Sequence, residues 1–197
     1  MNSPSVLTPN PLLEPLLVIA APNPRLRVKS SPVLLVDDDC RLLMDRMLDL
    51  VRAQNALGLA AVQIGADKRV VVVNVGVGDQ APVPRFLVNP EIIRRSRQRV
   101  ISEESCLSIP GYVGLIQRSN EVTVRFLDYH GRPADLQASG LLAVCIQHEI
   151  DHLDGRLFTD HLSLTQRLSR RWDEFRFRRD ARQSQAGHRQ KRAPVIN

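Results

Sequence analysis

No stretch of this 197-residue chain approaches the roughly eighteen consecutive apolar residues of a membrane-spanning helix, so none is read as one. Residues 1–21 contain no Lys or Arg and no long apolar core, which argues against a secretory signal and against an organelle-targeting segment. Cysteine is scarce, with Cys40, Cys106 and Cys145 the only three. That number suits a reducing, cytoplasmic setting, where thiols act as ligands or core residues rather than as disulfides. No internal repeat is visible. What remains is 43% hydrophobic, enough for one domain with a single core. Seven of the 13 prolines fall within residues 1–32, so residues 1–21 are read as an extended or partly disordered arm.

Against that background one run stands out, Gln147-His148-Glu149-Ile150-Asp151-His152-Leu153-Asp154-Gly155. On a helix, residues four apart lie about 40° apart around the axis and roughly 6 Å along it, so His148 and His152 can reach one cation. Glu149 is rotated about 100° away, off the ligand face but close enough to meet a water held beside the ion. The preceding Leu141 to Ile146 are apolar all round, which describes a buried helix carrying polar groups that have no structural use of their own.

A hydrolytic site of this kind needs a third protein ligand. Six residues after the second His, where metzincins place one, stands Phe158. Glu174 is a thermolysin-like choice and would make the chain a metallopeptidase. Cys106, in Glu103-Glu104-Ser105-Cys106-Leu107-Ser108-Ile109-Pro110-Gly111, is the better candidate, since a thiolate binds borderline cations strongly.

Three segments, Gly58-Leu59-Ala60-Ala61-Val62-Gln63, Glu104-Ser105-Cys106-Leu107-Ser108 and His148-Glu149-Ile150-Asp151-His152, resemble in order the three motifs of the peptide deformylase family. The likeness runs from about Pro24 to the basic C-terminal segment. It implies removal of the formyl group from the N-terminal methionine of nascent chains, with Fe2+, or a substituting Zn2+, Ni2+ or Co2+, held by Cys106, His148 and His152. A cation there lowers the pKa of a coordinated water. The resulting hydroxide attacks the formyl carbon, with Glu149 as base and then acid. The resemblance makes the Gln63 amide and the Leu107 N–H the oxyanion donors. It places Leu57, Gly58, Glu104, Leu141, Val144 and Cys145 against the substrate, with Gly58 admitting the peptide as an added strand. Asp151 would support a ligand from behind, and Cys40, His130 and His161 are read as non-ligands. A deformylase-like protein of weak or altered activity, binding nascent chains or ribosomes, is the alternative. It is favoured by Ala56 and Ser105, where the family pattern has Gly, and by Ser102 and Val113, where it has an aliphatic residue and often Arg.

The net charge of +6 is uneven. Residues 161–197 carry ten basic and three acidic side chains, while the rest of the chain is balanced. Leu164, Leu168, Trp172 and Phe175 recur at helical spacing, with Arg167, Arg170, Arg171, Arg178 and Arg179 largely off that stripe. Such a face is either merely solvated or neutralises phosphate, and the resemblance favours docking near the ribosomal exit tunnel. Residues 22–182 are read as one catalytic domain and 183–197 as a disordered basic tail.

The remaining patterns predict an α+β fold, with short antiparallel strands around the buried metal-motif helix and a C-terminal helix. Asp37-Asp38-Asp39 caps a helix carrying Leu43, Met44, Met47, Leu48 and Val51 and ending near Asn55. Val70 to Val75 and Phe86 to Asn89 read as strands, the second stopped by Pro90. Arg99-Val100-Ile101 leads into the cysteine motif. Glu121 to Leu127 alternates as a half-buried strand, followed by a turn at His130-Gly131.

Overall fold

The computed structural model describes residues 16–76, 81–163 and 165–166. Among the described residues, seven antiparallel strands and two α-helices give the α+β fold expected. One sheet has the order β1-β2-β3-β6-β7, from Gly58–Ala60, Val70–Val75, Val83–Arg95, Glu121–Leu127 and Pro133–Ser139. A separate hairpin pairs β4, Arg99–Cys106, with β5, Ile109–Ser119. Among the described residues no helix is long and apolar enough to cross a membrane.

The sheet is covered on both faces. Helix α1, Asp38–Ala53, starts where the Asp37 carboxylate accepts from the Cys40 N–H at 2.9 Å. Its apolar stripe of Cys40, Leu43, Met44, Met47, Leu48 and Val51 packs with Val70, Val72 and Val88. Helix α2, Gly140–Leu153, packs Leu142, Ala143, Cys145, Ile146 and Ile150 with Val71, Val73, Val75, Val122 and Val124. A strand clamped between two helices has no solvated side, which is why Val70–Val73 is an unbroken valine run while β6 alternates.

Two expectations are corrected. Pro90 does not stop the second strand, because β3 runs on to Arg95. Proline cannot donate to a ladder, and the register shifts between Val88 and Glu91, with Asn89 at φ 52°, so the residue sits inside a bulge. The strands are also not uniformly short, since β3 has 13 residues and β5 has 11. The sequence pattern showed no separate signal for β5, whose exposed face carries Val113 and Leu115 in place of polar residues.

Residues 16–21 do not wander from the body. The Ile19 N–H donates to the Gln63 carbonyl at 2.7 Å and the Ala21 N–H to the Ser108 carbonyl at 2.8 Å, tying this segment to two of the motifs. The predicted stripe from Leu164 to Phe175 lies outside the described residues, as do Glu174 and the tail from 183.

Candidate metal centre

Helix α2 is buried at nearly every position, so His148, Glu149 and His152 sit in the interior as the apolar flank predicted. The other side of the site is the end of β4. There the register breaks between Ser105 and Cys106, a bulge that re-aims the thiol toward α2. Cys106 Sγ and His152 Nε2 are 3.2 Å apart. One ligand atom each from Cys106, His148 and His152 lies within 4.8 Å of the others, the one such group among the described residues.

His148 is held from behind. Glu104 Oε2 is 2.8 Å from His148 Nδ1, so the proton resides on Nδ1 and the Nε2 lone pair is left for an ion. Both Glu104 oxygens also receive Arg118, through Nε at 2.7 Å and Nη2 at 2.9 Å, and Arg118 Nη1 donates to Asp151. Arg118 is 4% exposed and was not singled out from the sequence. The one sequence signal was its inward phase on β5, with Gly114 and Ile116. Phe158, at the position where metzincins carry a ligand, instead stacks on the His148 ring at 5.8 Å between centroids.

The two imidazoles sit in contrasting electrostatic settings. Burial works against charge on His148, but hydrogen bonds to Cys106 and Glu104 outweigh it and raise its pKa to about 10. Burial, with the charge of His148, drives His152 down to about 3. One ring is thus drawn positive beside a sulfur and a carboxylate while the other stays neutral. A single ion bound by a thiolate and two imidazoles satisfies the whole set, and the donors present fit it.

Glu149 lies beside the ligand focus, and burial holds its pKa up at about 7. Its Oε2 is buried with no hydrogen-bond partner. Gln63 is fixed by its Oε1, which accepts from the Ala60 N–H at 2.8 Å. Its Nε2 then points at Ser108 Oγ, 3.2 Å away, and Cys106 Sγ, 3.5 Å away.

A cavity of about 700 Å³ opens onto these groups. Leu57, Gly58, Leu107, Leu141, Val144 and Cys145 line it. Glu104 also touches it, with its oxygens engaged by Arg118 and His148. Gly58 is at an edge of the sheet, and a Cβ there would stand 2.8 Å from Glu149 Oε1 and 2.9 Å from Cys145 Sγ. Its lack of a side chain is therefore what admits Glu149. Ala56, Ser102, Ser105 and Val113 all line the same cavity. Neither Ala56 nor Ser105 has positive φ, so a side chain at these two positions strains no backbone. Cys40 is on the buried face of α1 and is not part of the candidate ligand group, and burial raises its pKa.

Three convergent candidate ligands with a buried carboxylate beside them fit a metal-dependent hydrolase. A family model for polypeptide deformylase matches residues 15–168. The peptide deformylase of Phenylobacterium zucineum is 46% identical over 150 residues, 76% of this chain and 89% of that protein. The crystal structure of the Ehrlichia chaffeensis enzyme superposes with a TM-score of 0.76 at 36% identity, covering 85% of this chain and 99% of that one. A class I type b peptide deformylase from Acinetobacter baumannii, with Met-Ala-Ser bound, gives 0.71 at 30% identity, covering 75% and 98%. The chain belongs to the peptide deformylase family, metal-dependent hydrolases that remove the formyl group from the N-terminal methionine of nascent polypeptides.

Proposed function

We propose that Cys106, His148 and His152 hold the ion and that Glu149 moves the protons of the reaction. The convergence of those three ligands beside the unpartnered Glu149 oxygen carries this reading. When bound, the ion supplies Lewis acidity, which lowers the pKa of a water toward neutrality and polarises the formyl oxygen. Glu149 takes a proton from the attacking water as the new C–O bond forms. It returns that proton to the nitrogen as the C–N bond breaks, releasing formate and a free amine. A carboxyl held at about 7 gains and loses a proton readily near neutral pH. Gln63 Nε2 and the Leu107 N–H donate to the formyl oxygen as it gains charge.

The peptide lies along β1, whose outer edge has no partner strand in the sheet order. The methionine side chain enters among Leu57, Leu141, Val144 and Cys145. The Met-Ala-Ser held by the Acinetobacter relative supports a pocket that takes a methionine-led peptide. For the ion we propose Fe2+, with Zn2+, Ni2+ or Co2+ able to substitute, because a thiolate and two imidazoles suit any borderline divalent cation. Three free cysteines suit a cytoplasmic enzyme. The basic segment with Arg167, Arg170 and Arg178 would neutralise ribosomal phosphates, and charge reversal there should weaken ribosome co-sedimentation.

The test separates ligand from base. Cys106→Ala and His152→Ala should lose metal. Glu149→Gln should keep it while formate release falls by about 10²-fold or more. A Glu149→Gln protein as empty of metal as His152→Ala would remove Glu149 from the role of base.

A further inference from the structure

The end of β3 and the start of β4 read Arg94-Arg95-Ser96-Arg97-Gln98-Arg99, four guanidiniums in six residues, all exposed. Elsewhere the arginines of the body are commonly neutralised, as Arg27, Arg41, Arg69, Arg118 and Arg125 are by carboxylates. Among the described residues none of Arg94, Arg95, Arg97 and Arg99 has a carboxylate partner within ion-pair distance. Two of the four are anchored by neutral groups. Arg95 Nη1 donates to Gln147 Oε1 at 3.1 Å and Arg99 Nη1 to Ser119 Oγ at 2.8 Å. Gln147 is itself fixed by the backbone of Ser119, donating at 2.9 Å and accepting at 3.1 Å. Burial lowers the Arg95 pKa, Asp151 opposes this, and the charges of Arg118, Arg99 and Arg156 add to the lowering.

Three of the four, Arg99 excepted, border a recess of about 650 Å³ that shares no residue with the catalytic cavity. Arg94, Arg95 and Arg97 line it with the hydroxyls of Ser96, Thr123 and Ser139 and the amide of Gln137, against one carboxylate, Glu121. Guanidiniums and neutral donors around a concavity match a ridge of phosphate and sugar oxygens. A lipid headgroup layer is flat and meets a convex basic face, and the recess has little apolar surface on which a free nucleotide's base could lie.

We propose that this arginine recess is a binding site for the phosphodiester backbone of structured RNA, carried on the body of the protein and separate from the basic C-terminal segment. It deepens the reading of the enzyme as acting on nascent chains, and rests on that reading for the choice of ribosomal RNA as the partner. Arg94 and Arg97 donate to no protein acceptor among the described residues, so replacing them leaves the Gln147 and Ser119 anchors intact.

The test uses the full chain carrying Arg94→Ala and Arg97→Ala. Binding to an RNA duplex is followed by fluorescence anisotropy across salt concentrations, and binding to 70S ribosomes by co-sedimentation. Affinity should fall for any RNA sequence, and the plot of log affinity against log salt should become shallower by about two, one per lost phosphate contact. Release of formate from a short formyl-Met peptide should be unchanged, and Arg94→Lys with Arg97→Lys should retain the salt slope. Affinity and slope equal to the parent, or a parent that binds no RNA, would overturn the site. So would loss of binding to phosphatidylglycerol vesicles with RNA binding intact. Formate release by the parent reports separately on the catalytic reading. Reversals at Arg167, Arg170 and Arg178 that abolish RNA binding, with the recess variant unaffected, would leave the C-terminal segment as the only contact and sink this proposal.

Discussion

Glu104 Oε2 lies 2.8 Å from His148 Nδ1 while the same carboxylate takes a two-pronged grip from Arg118, which also reaches Asp151 on the metal helix. The hairpin and α2 are thereby joined by a buried run of charges that ends on a metal ligand. The Arg118 charge is worth most where it is, since both of its partners are shielded from water.

Removing Arg118 strands two carboxylates in the interior. Arg118→Ala should therefore lose about 3–5 kcal/mol of stability, measured by denaturant unfolding. Glu104→Gln keeps the shape but no longer holds the Nδ1 proton as firmly, so the folded protein should release its ion about 10–100-fold more readily to a competing chelator. Metal retention equal to the parent in Glu104→Gln would show that His148 is oriented by packing on Phe158 instead.

Gly58→Ala should separate catalysis from metal binding. The three atoms nearest the new Cβ, all within 3.0 Å, belong to Glu149 and Cys145. Overpacking of this kind costs about 1–3 kcal/mol. Metal content should hold while formate release drops, because the displaced group is Glu149. Adding Cys145→Ala should return stability and not turnover. Full turnover in Gly58→Ala would mean that the carboxylate has room to retreat and still work.

Ser105 and Val113 face each other across the β4–β5 hairpin, and both line the catalytic cavity together with Ala56. With no backbone strain at Ser105 or Ala56, what the extra Cβ atoms change is the width of the cleft. Ala56→Gly with Ser105→Gly should raise kcat/KM for a formyl-Met tripeptide and leave metal affinity alone. No change, or a loss, would show these departures from the family pattern to be neutral.

Local periodicity made much of the fold legible. The Asp37 cap and the apolar stripe of α1, the Val70–Val75 strand and the alternation of Glu121–Leu127 each encode their own burial, so each is found where the pattern put it. Proline misled at Pro90, because its missing N–H ends a ladder only where no bulge is available.

The sequence by itself determined the chemistry that sits on one helix. Two imidazoles four residues apart with a carboxylate between them are a local arrangement, set by the helical repeat and by an apolar flank that forces them inside. It could offer Cys106 as the third ligand from thiolate chemistry and from resemblance, but not from spacing. The tertiary structure decided that Cys106 meets the histidines, because a bulge at the end of β4 turns its thiol inward. It also decided that Gly58 clears space for Glu149, and that Arg118 ties Glu104 and Asp151 together. These depend on the register of a hairpin and on its seating against α2, contacts between residues 14 to 91 positions apart that no local periodicity records.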